Sequence, residues 1–337
     1  MPTRRGTLAS VARVAGVSKQ TVSNVLNGAK HVKPSTRQRV LDAVASENYV
    51  RSSAARQLRT GRSRMLGMRL VDASNSLTAG VLHDRFLHAM IEAAHAVGYR
   101  ITLFTAPDST AETRAFEDLL SEANVDGFVV IGTHPGDIRT EWLSEKGIPF
   151  VTFGRQWDQS QTAHAWADVD GAAGTRQAAE YLLAAGHERV AFLGWPEDGA
   201  LGDDRRRGWR EALDAAGRSG LDLRSVDDVS AARATISEAL LGEELTAVVC
   251  ASDSFALGAY ESARTAGVPL DVVGFDDTPV AAALGISSVT QPLTETAVAM
   301  MEAMQTQLDD EDAAPLQRLL QPRLIVRRPF VTSPTSH

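Results

Sequence analysis

Residues Thr7 to Gly28 read TLASVARVAGVSKQTVSNVLNG, two apolar stripes of helical period separated by a glycine. Leu8, Val11, Ala12 and Ala15 recur at helical spacing until Gly16 interrupts, which predicts one short amphipathic helix with Thr7 as its N-cap. Ser18 is placed to cap a second helix, Lys19 to Leu26, with Val22, Val25 and Leu26 facing inward. Two short helices joined by a Gly-containing turn make a helix-turn-helix, whose second helix enters the DNA major groove with its N-terminal residues against base edges. On that geometry Lys19, Gln20 and Asn24 face outward as base readers: lysine suits guanine O6 and N7, and either amide can pair with adenine. Thr21, Ser23, Asn27 and His31 are assigned to phosphate contact or capping. Pro34 opens a third helix, Ser35 to Glu47, whose Val40, Leu41 and Val44 complete an all-α core, while Arg37 and Arg39 point outward to phosphate or to solvent alone.

Charge follows the same division. Residues 1 to 64 hold thirteen Lys or Arg against Asp42 and Glu47, a net +11; the rest carries −19, so the whole-chain value of −8 conceals a basic head on an acidic body. Such a head draws double-stranded DNA through counterion release, and the body is repelled by the phosphates. At 337 residues, 44% of them hydrophobic, the chain holds two or three folded units. No apolar run nears the roughly 18 residues needed to span a bilayer, and the basic start, Met1 to Gly6, has no apolar signal region behind it. A cytoplasmic, nucleoid-associated protein with no membrane contact is therefore expected. The single cysteine, Cys250, lies in the apolar run Leu245 to Ala251 and reads as a buried strand residue.

The residues Val11-Ala12, Ala15-Gly16-Val17-Ser18, Thr21-Val22-Ser23, Leu26-Asn27-Gly28, Thr36-Arg37, Val40 and Asn48-Tyr49 together resemble the lactose-repressor/galactose-repressor family of transcriptional regulators. The resemblance implies a sequence-specific repressor, a homodimer on a pseudo-palindromic operator, with operator affinity set by a small-molecule effector. In that family the segment after the third helix folds into a hinge helix on operator binding and levers a leucine into the minor groove. Ser53-Ala54-Ala55-Arg56-Gln57-Leu58 is similar, which carries the hinge role to Ala55, small enough for paired helices to approach, and to Leu58 as the apolar wedge. Arg51-Ser52 stands where the family usually has Pro-Asn, and Gly61-Arg62-Ser63-Arg64 follows as a flexible linker.

Beyond Arg64, strand-like and helical stretches alternate: Met65 to Val71, Leu82 to Val97, Arg100 to Phe104, Thr113 to Ala123, Gly127 to Ile131. A second cycle after Asp168 runs through helix Gly171 to Ala185, strand Arg189 to Leu193, helix Asp204 to Ala216, strand Ala247 to Ala251, helix Asp253 to Thr265 and strand Val272 to Phe275. Two α/β lobes with parallel sheets follow, and by resemblance they form a two-lobed core like a periplasmic binding protein. The expected organisation is a helix-turn-helix domain over 1–50, a hinge helix and linker over 51–64, an effector-binding and dimerisation core over 65–330, and a tail over 331–337. Lobe 1 is expected at about 65–160 and 293–319, and lobe 2 at about 161–292 and 320–330.

Ligands of such sheets bind beyond the carboxyl ends of strands. Asn75 follows the first strand, Arg155 follows Val151-Thr152-Phe153, Asp253 follows Val248 to Ala251, and Asp276-Asp277 follows Val272 to Phe275. By resemblance Asp276 matches the family's ligand-contacting acid, Arg205 its ligand-contacting arginine, and Ser252 and Trp166 its lining positions. An Asp and an Arg with an aromatic plate suit a neutral polyol, so the effector is expected to be a mono- or oligosaccharide. A purine or a sugar phosphate acting as corepressor is the alternative; a sugar-binding protein without a regulatory role leaves the basic head unexplained. Trp166 also reads as core packing, Asp253 as a helix N-cap, and Arg206 and Arg207 as solvated, while Trp157 and Trp195 compete for the stacking role.

No catalytic residue, metal ligand or cofactor is expected. The chain has no phosphate loop, no G-x-G-x-x-G and no G-x-S-x-G, and His83 and His88 are five apart on a helix and so diverge. In binding-site selection, Lys19→Ala is expected to relax base preference at one operator position, whereas Arg59→Ala should weaken all sequences alike and reduce the salt slope by about 1. A uniform loss with Lys19→Ala would remove it from the base readers.

Overall fold

The computed structural model describes residues 6–26, 29, 31–49, 61–71, 79–123, 125–157, 163–196, 200–242 and 245–327. Asn27, Ala55, Leu58 and Asn75, assigned above to DNA and effector contacts, lie outside the described residues. The chain divides into two compact units, Met1–Ser63 and Arg64–His337.

In the first unit, α1 (Leu8–Ala15), α2 (Lys19–Leu26) and α3 (Pro34–Ser46) enclose a small core of Val11, Ala12, Ala15, Val22, Val25, Val40 and Ala43. The Thr7 hydroxyl accepts from the Ser10 amide and the Ser10 hydroxyl from the Thr7 amide, each at 3.1 Å, a reciprocal cap that satisfies two of the first-turn donors. Gly16 ends α1 at φ 63°, a left-handed conformation that a side chain would strain. Ser18 caps α2 through the Thr21 amide at 3.1 Å, and Pro34 occupies the first turn of α3, where its missing N–H costs nothing. Leu41, expected in this core, is instead 44% exposed. The seam facing α1 runs through Val40 and Ala43, three apart, and a residue one step from Val40 is rotated by about 100° out of it.

The second unit carries two six-stranded sheets. The first is built from β1 (Met65–Arg69), β2 (Arg100–Phe104), β3 (Gly127–Ile131), β4 (Phe150–Phe153), β5 (Ala165–Val169) and, late in the chain, β11 (Gln317–Leu320), in the order β11-β5-β4-β3-β1-β2 and parallel throughout. Its connections include α4 (Ala79–Ala96), α5 (Ser109–Asp118) with a π turn at Leu119–Ala123, and α6 (Ile138–Glu145), and α12 (Leu293–Asp309) packs beside it. The second holds β6 (Val190–Gly194), β7 (Asp222–Arg224), β8 (Ala247–Cys250), β9 (Asp271–Phe275), β10 (Ser287–Thr290) and β12 (Arg323–Ile325), in the order β12-β10-β9-β8-β6-β7. With it go α7 (Gly171–Ala184), α8 (Ala200–Ala215), α9 (Val229–Gly242), α10 (Asp253–Ala266) and α11 (Pro279–Leu284). The central strands are buried on both faces by helices, which is why they read as continuous apolar runs.

Two boundaries differ from the sequence reading. β5, within the span assigned to lobe 2, pairs with β4 through Thr152 opposite Trp166, and β11, which includes Leu320, pairs with β5; both belong to the first sheet. The chain crosses at Asp170, whose carboxylate caps α7 through the Ala173 amide at 2.9 Å, and again at Gln321 and Pro322. The second sheet is also not wholly parallel: β12 runs antiparallel to β10 at the edge, where no helical crossover follows to fix its direction. Cys250 is buried in β8, and burial pushes its thiol well above the ordinary range.

A buried ion-pair cluster braces lobe 1. Arg139, opening α6, donates to Asp137 and to Glu112 of α5 and to the carbonyls of Ile131 and Gly132 at the end of β3, so a charge with 1% exposure has its partners in place. In lobe 2 α7 and α8 approach closely, and a Cβ on Gly208 would overlap the carbonyl oxygen of Ala172. Gly208→Ala is expected to destabilise the core by about 2 kcal/mol or more in denaturant titration, since backbone rather than a flexible side chain must move.

Candidate functional site

On the head, Lys19 and Gln20 are exposed and Asn24 half-buried on α2, with Gln20 and Asn24 away from the buried Val22 and Val25 and Lys19 at the edge of that stripe. Gln20 Nε2 donates to Asn24 Oδ1 at 3.0 Å, so the two amides form a linked pair one helical turn apart. Thr21 is engaged in capping, its hydroxyl 2.9 Å from that of Ser18, while Ser23 is half-buried and His31 exposed after α2. Arg37, left open between phosphate and solvent, donates to the Ala29 carbonyl at 2.6 Å and ties α3 to the turn after α2.

In the core, β1 lies between β3 and β2, and β6 between β8 and β7, so each sheet reverses its winding beside its first strand. Doubly wound sheets place ligand sites at the carboxyl ends flanking such points. In lobe 1 a mostly apolar pocket of about 210 Å³ opens there, lined by Leu70 and Val71 after β1, Ile131 at the end of β3, and Gly80, His83 and Leu87 of α4. In lobe 2 the corresponding positions hold Arg205 on α8, Trp195 after β6, Ser252 after β8 and Asp276 after β9.

Arg205 is 5% exposed. Its guanidinium carbon lies 3.7 Å from the centroid of the Phe275 ring and 5.4 Å from that of Trp195, Nη1 donates to the Ala251 carbonyl, and Nη2 stands 3.9 Å from Asp276 Oδ1. Burial lowers the Arg205 pKa, against which four carboxylates act, Asp276, Asp168, Asp204 and Asp227. Asp276 is equally buried, and Gln291, at the crossing between β10 and α12, donates to its Oδ1 at 2.7 Å. Burial pushes the Asp276 carboxyl up to about 7 despite the pull of Arg205, with Asp253 and Asp227 adding to the rise and the Gln291 hydrogen bond opposing it.

Arg155 reaches across from lobe 1. Its Nε donates to Asp168 at the end of β5 at 2.6 Å, its Nη2 lies 3.3 Å from Asp204 on α8, and its guanidinium carbon is 4.8 Å from the centroid of the Trp157 ring. Trp166 is half-buried one pleat before Asp168, on the same face of β5. Ser252 has a different job from a free lining hydroxyl: it is the N-cap of α10, receives the Phe255 amide at 3.4 Å and donates to Asp227 at 2.8 Å. Asp253 accepts from the Thr278 amide and hydroxyl and from Ser288, a structural clamp on the β9–α11 turn. The sequence reading missed Asp168, Asp204, Asp227 and Gln291. For Asp204 the available signal was adjacency to Arg205; for the others, position at a strand end.

A basic helix-turn-helix head and a two-lobed core with a polar, arginine-centred strand-end site define a DNA-binding regulator with a small-molecule sensor. Residues 81–311 match the family described as periplasmic binding proteins and sugar binding domain of LacI family, and residues 7–52 match the bacterial regulatory proteins of the lacI family. The HTH-type transcriptional regulator CelR of Thermobifida fusca is 33% identical over 337 residues, 96% of this chain and 98% of that protein. The structure of a transcriptional regulator CelR–cellobiose complex superposes with a TM-score of 0.71 at 29% identity, covering 96% of this chain and 99% of that one. The lac repressor dimer bound to operator and the anti-inducer ONPF superposes with a TM-score of 0.77 at 25% identity, covering 96% and 98%. The chain belongs to the LacI family of transcriptional regulators.

Because the Asp276 carboxyl stands at about 7 in the folded protein against 3.8 ordinarily, the folded state holds a proton that the unfolded chain releases. The cost of its charge therefore grows as pH rises through that window and is complete above it. The melting-temperature advantage of Asp276→Asn over the parent protein is expected to be several degrees larger near pH 8.5 than near pH 5. An equal offset at both pH values would show that Asp276 ionises without penalty.

Proposed function

We propose that this protein is a cytoplasmic repressor that binds a pseudo-palindromic operator as a homodimer and is released from it by a neutral saccharide of one or a few residues. The observation that carries the ligand class is the buried Arg205, Asp276 and Gln291 cluster beside Trp195. A carboxyl and a guanidinium can bond adjacent hydroxyls, and the indole can cover an apolar sugar face. The surrounding charge supports neutrality: Arg205, Arg155 and Arg207 are set among Asp168, Asp204, Asp227 and Asp276, so a sugar phosphate would have to displace a carboxylate from a cation it already accompanies. The cellobiose bound by the related CelR fits this reading. The protein binds its ligand without transforming it, in keeping with relatives that are regulators.

The route from site to DNA starts at Arg64, where the hinge segment joins the core. Its amide donates to Asp126 at 2.8 Å and its guanidinium lies over Tyr99 at 5.7 Å, so the end of the hinge segment is fastened to lobe 1. Closure of the lobes around a saccharide would move that anchor and disfavour paired hinge helices around Ala55 and Leu58, a coupling of about 1–3 kcal/mol.

Selection of genomic fragments by the purified protein, followed by challenge with cellobiose, maltose, glucose 6-phosphate and hypoxanthine, tests the proposal. A pseudo-palindrome released about 5- to 150-fold by one neutral sugar is expected. Tightening by the phosphate or the purine would make the protein a corepressor-type regulator instead, and enrichment of no sequence would refute operator binding.

A further inference from the structure

The turn after β9 is held from two directions. Toward the site, the Asp276 carboxylate meets Gln291 and Arg205. Away from it, both carbonyls of the turn are taken by one side chain of the other lobe: Arg85 Nη1, on α4, lies 3.1 Å from the Asp276 oxygen and 3.2 Å from the Asp277 oxygen. The turn's other described backbone and side-chain bonds come from lobe 2. Asp276 N donates to Val289 O at 2.8 Å, Asp277 N to Ser288 Oγ at 3.0 Å, and the Asp277 carboxylate pairs with Arg327.

The backbone of this turn is unusual. Asp276 and Asp277 adopt φ 103° and 49°, a left-handed region that non-glycine residues enter rarely and at a cost. Two successive peptide carbonyls of one turn are presented to a single guanidinium in that conformation. Neutral carbonyl acceptors leave the Arg85 charge without a partner in the turn, so the contact holds the backbone without neutralising Asp276.

We infer that Arg85 is a positioning residue for effector binding: it fixes the Asp276–Asp277 turn from the opposite lobe, and so couples the acid that meets the ligand to the closed arrangement of the two lobes. It does so without touching the ligand. The inference rests on the effector reading above for its affinity arm alone. A second bridge across the lobes, Arg155 to Asp204, joins side chain to side chain, whereas Arg85 grips the backbone that carries the binding carboxylate. A ligand that favours the closed state gains affinity in proportion to how much of the protein is already closed.

The test uses the full chain with spin labels at Glu117→Cys on α5 and Glu238→Cys on α9, both exposed, diluted with unlabelled chain so that only distances within one protomer are read; Cys250 is buried and out of reach of the label. Arg85→Met keeps the apolar stem and removes the donors; Arg85→Lys keeps the charge and part of the donor capacity. The inter-lobe distance is expected to lengthen and broaden in Arg85→Met and to lie between the two in Arg85→Lys. In calorimetric titration, cellobiose affinity should fall about 10- to 100-fold in Arg85→Met, while operator affinity in the absence of sugar should rise rather than fall, because fewer molecules are closed. Identical distance distributions in all three proteins would overturn the inference whatever the titration shows. If the parent protein binds no cellobiose, the saccharide reading loses that ligand while the distance measurement still decides the role of Arg85.

Discussion

A guanidinium that cannot lose its proton has been placed inside the second lobe, and much of the core is arranged around it. Arg205 has its charge at 5% exposure, where desolvation is costly unless opposite charge and hydrogen bonds are supplied by the fold. The supply comes from separate parts of the chain: Asp168 from β5, Asp204 from its own helix, Asp227 from the loop after β7, and Asp276 from the turn after β9. The Phe275 ring lies against its face, and the Ala251 carbonyl takes one N–H. Placing these groups together requires the carboxyl ends of β5, β8 and β9 to converge, which the chain achieves by crossing between two parallel sheets. The tight α7–α8 contact at Gly208 belongs to the same requirement, because α8 carries both Asp204 and Arg205 and α7 must approach it closely.

Charge balance also sets the state of the neighbouring acid. Asp276 is near its midpoint at neutral pH because burial and neighbouring Asp253 and Asp227 oppose the pull of Arg205. A saccharide hydroxyl is both donor and acceptor, so it can serve a carboxyl in either protonation state and replace lost hydration without adding charge. One partner of the Asp276 carboxyl, Gln291, sits at the crossing between the lobes, and the backbone that carries the carboxyl accepts from Arg85 of the other lobe. On the proposed reading, these hydrogen bonds would link ligand binding to lobe geometry.

Much of this was legible in the residues. Helical period and the caps Thr7, Gly16 and Ser18 located α1 and α2, because short amphipathic helices with strong local signals depend little on the rest of the chain. The outward positions of Lys19, Gln20 and Asn24 followed from the same period. Leu41 did not, since rotation of α3 is set by close packing of Ala43 against α1 rather than by hydrophobicity. β5 was misplaced because a five-residue run between two loops carries no mark of which sheet it will join; only pairing with β4 decides it. Ser252 was legible as a strand-end hydroxyl, but its use as the cap of α10 depends on the helix that follows and on Asp227 beside it. Arg85 left no local trace, as it acts on a turn distant in sequence, whereas Gln291 could have been noticed as the residue that follows β10.

The same sign of charge serves the protein twice. Residues beyond Arg64 carry −19 against +11 in the head, so the body is repelled by phosphates that the head attracts. Inside the core, the carboxylates gathered around Arg205 also accompany Arg155 and Arg207, so on the proposed reading a phosphorylated metabolite would have to displace one of them. Nonspecific affinity of the core for DNA and affinity of the cleft for anionic metabolites would thus be suppressed by one compositional bias. On the proposed reading, a site so balanced would select ligands by hydroxyl pattern and shape, and its linkage to the head would run through the Arg64 anchor on lobe 1.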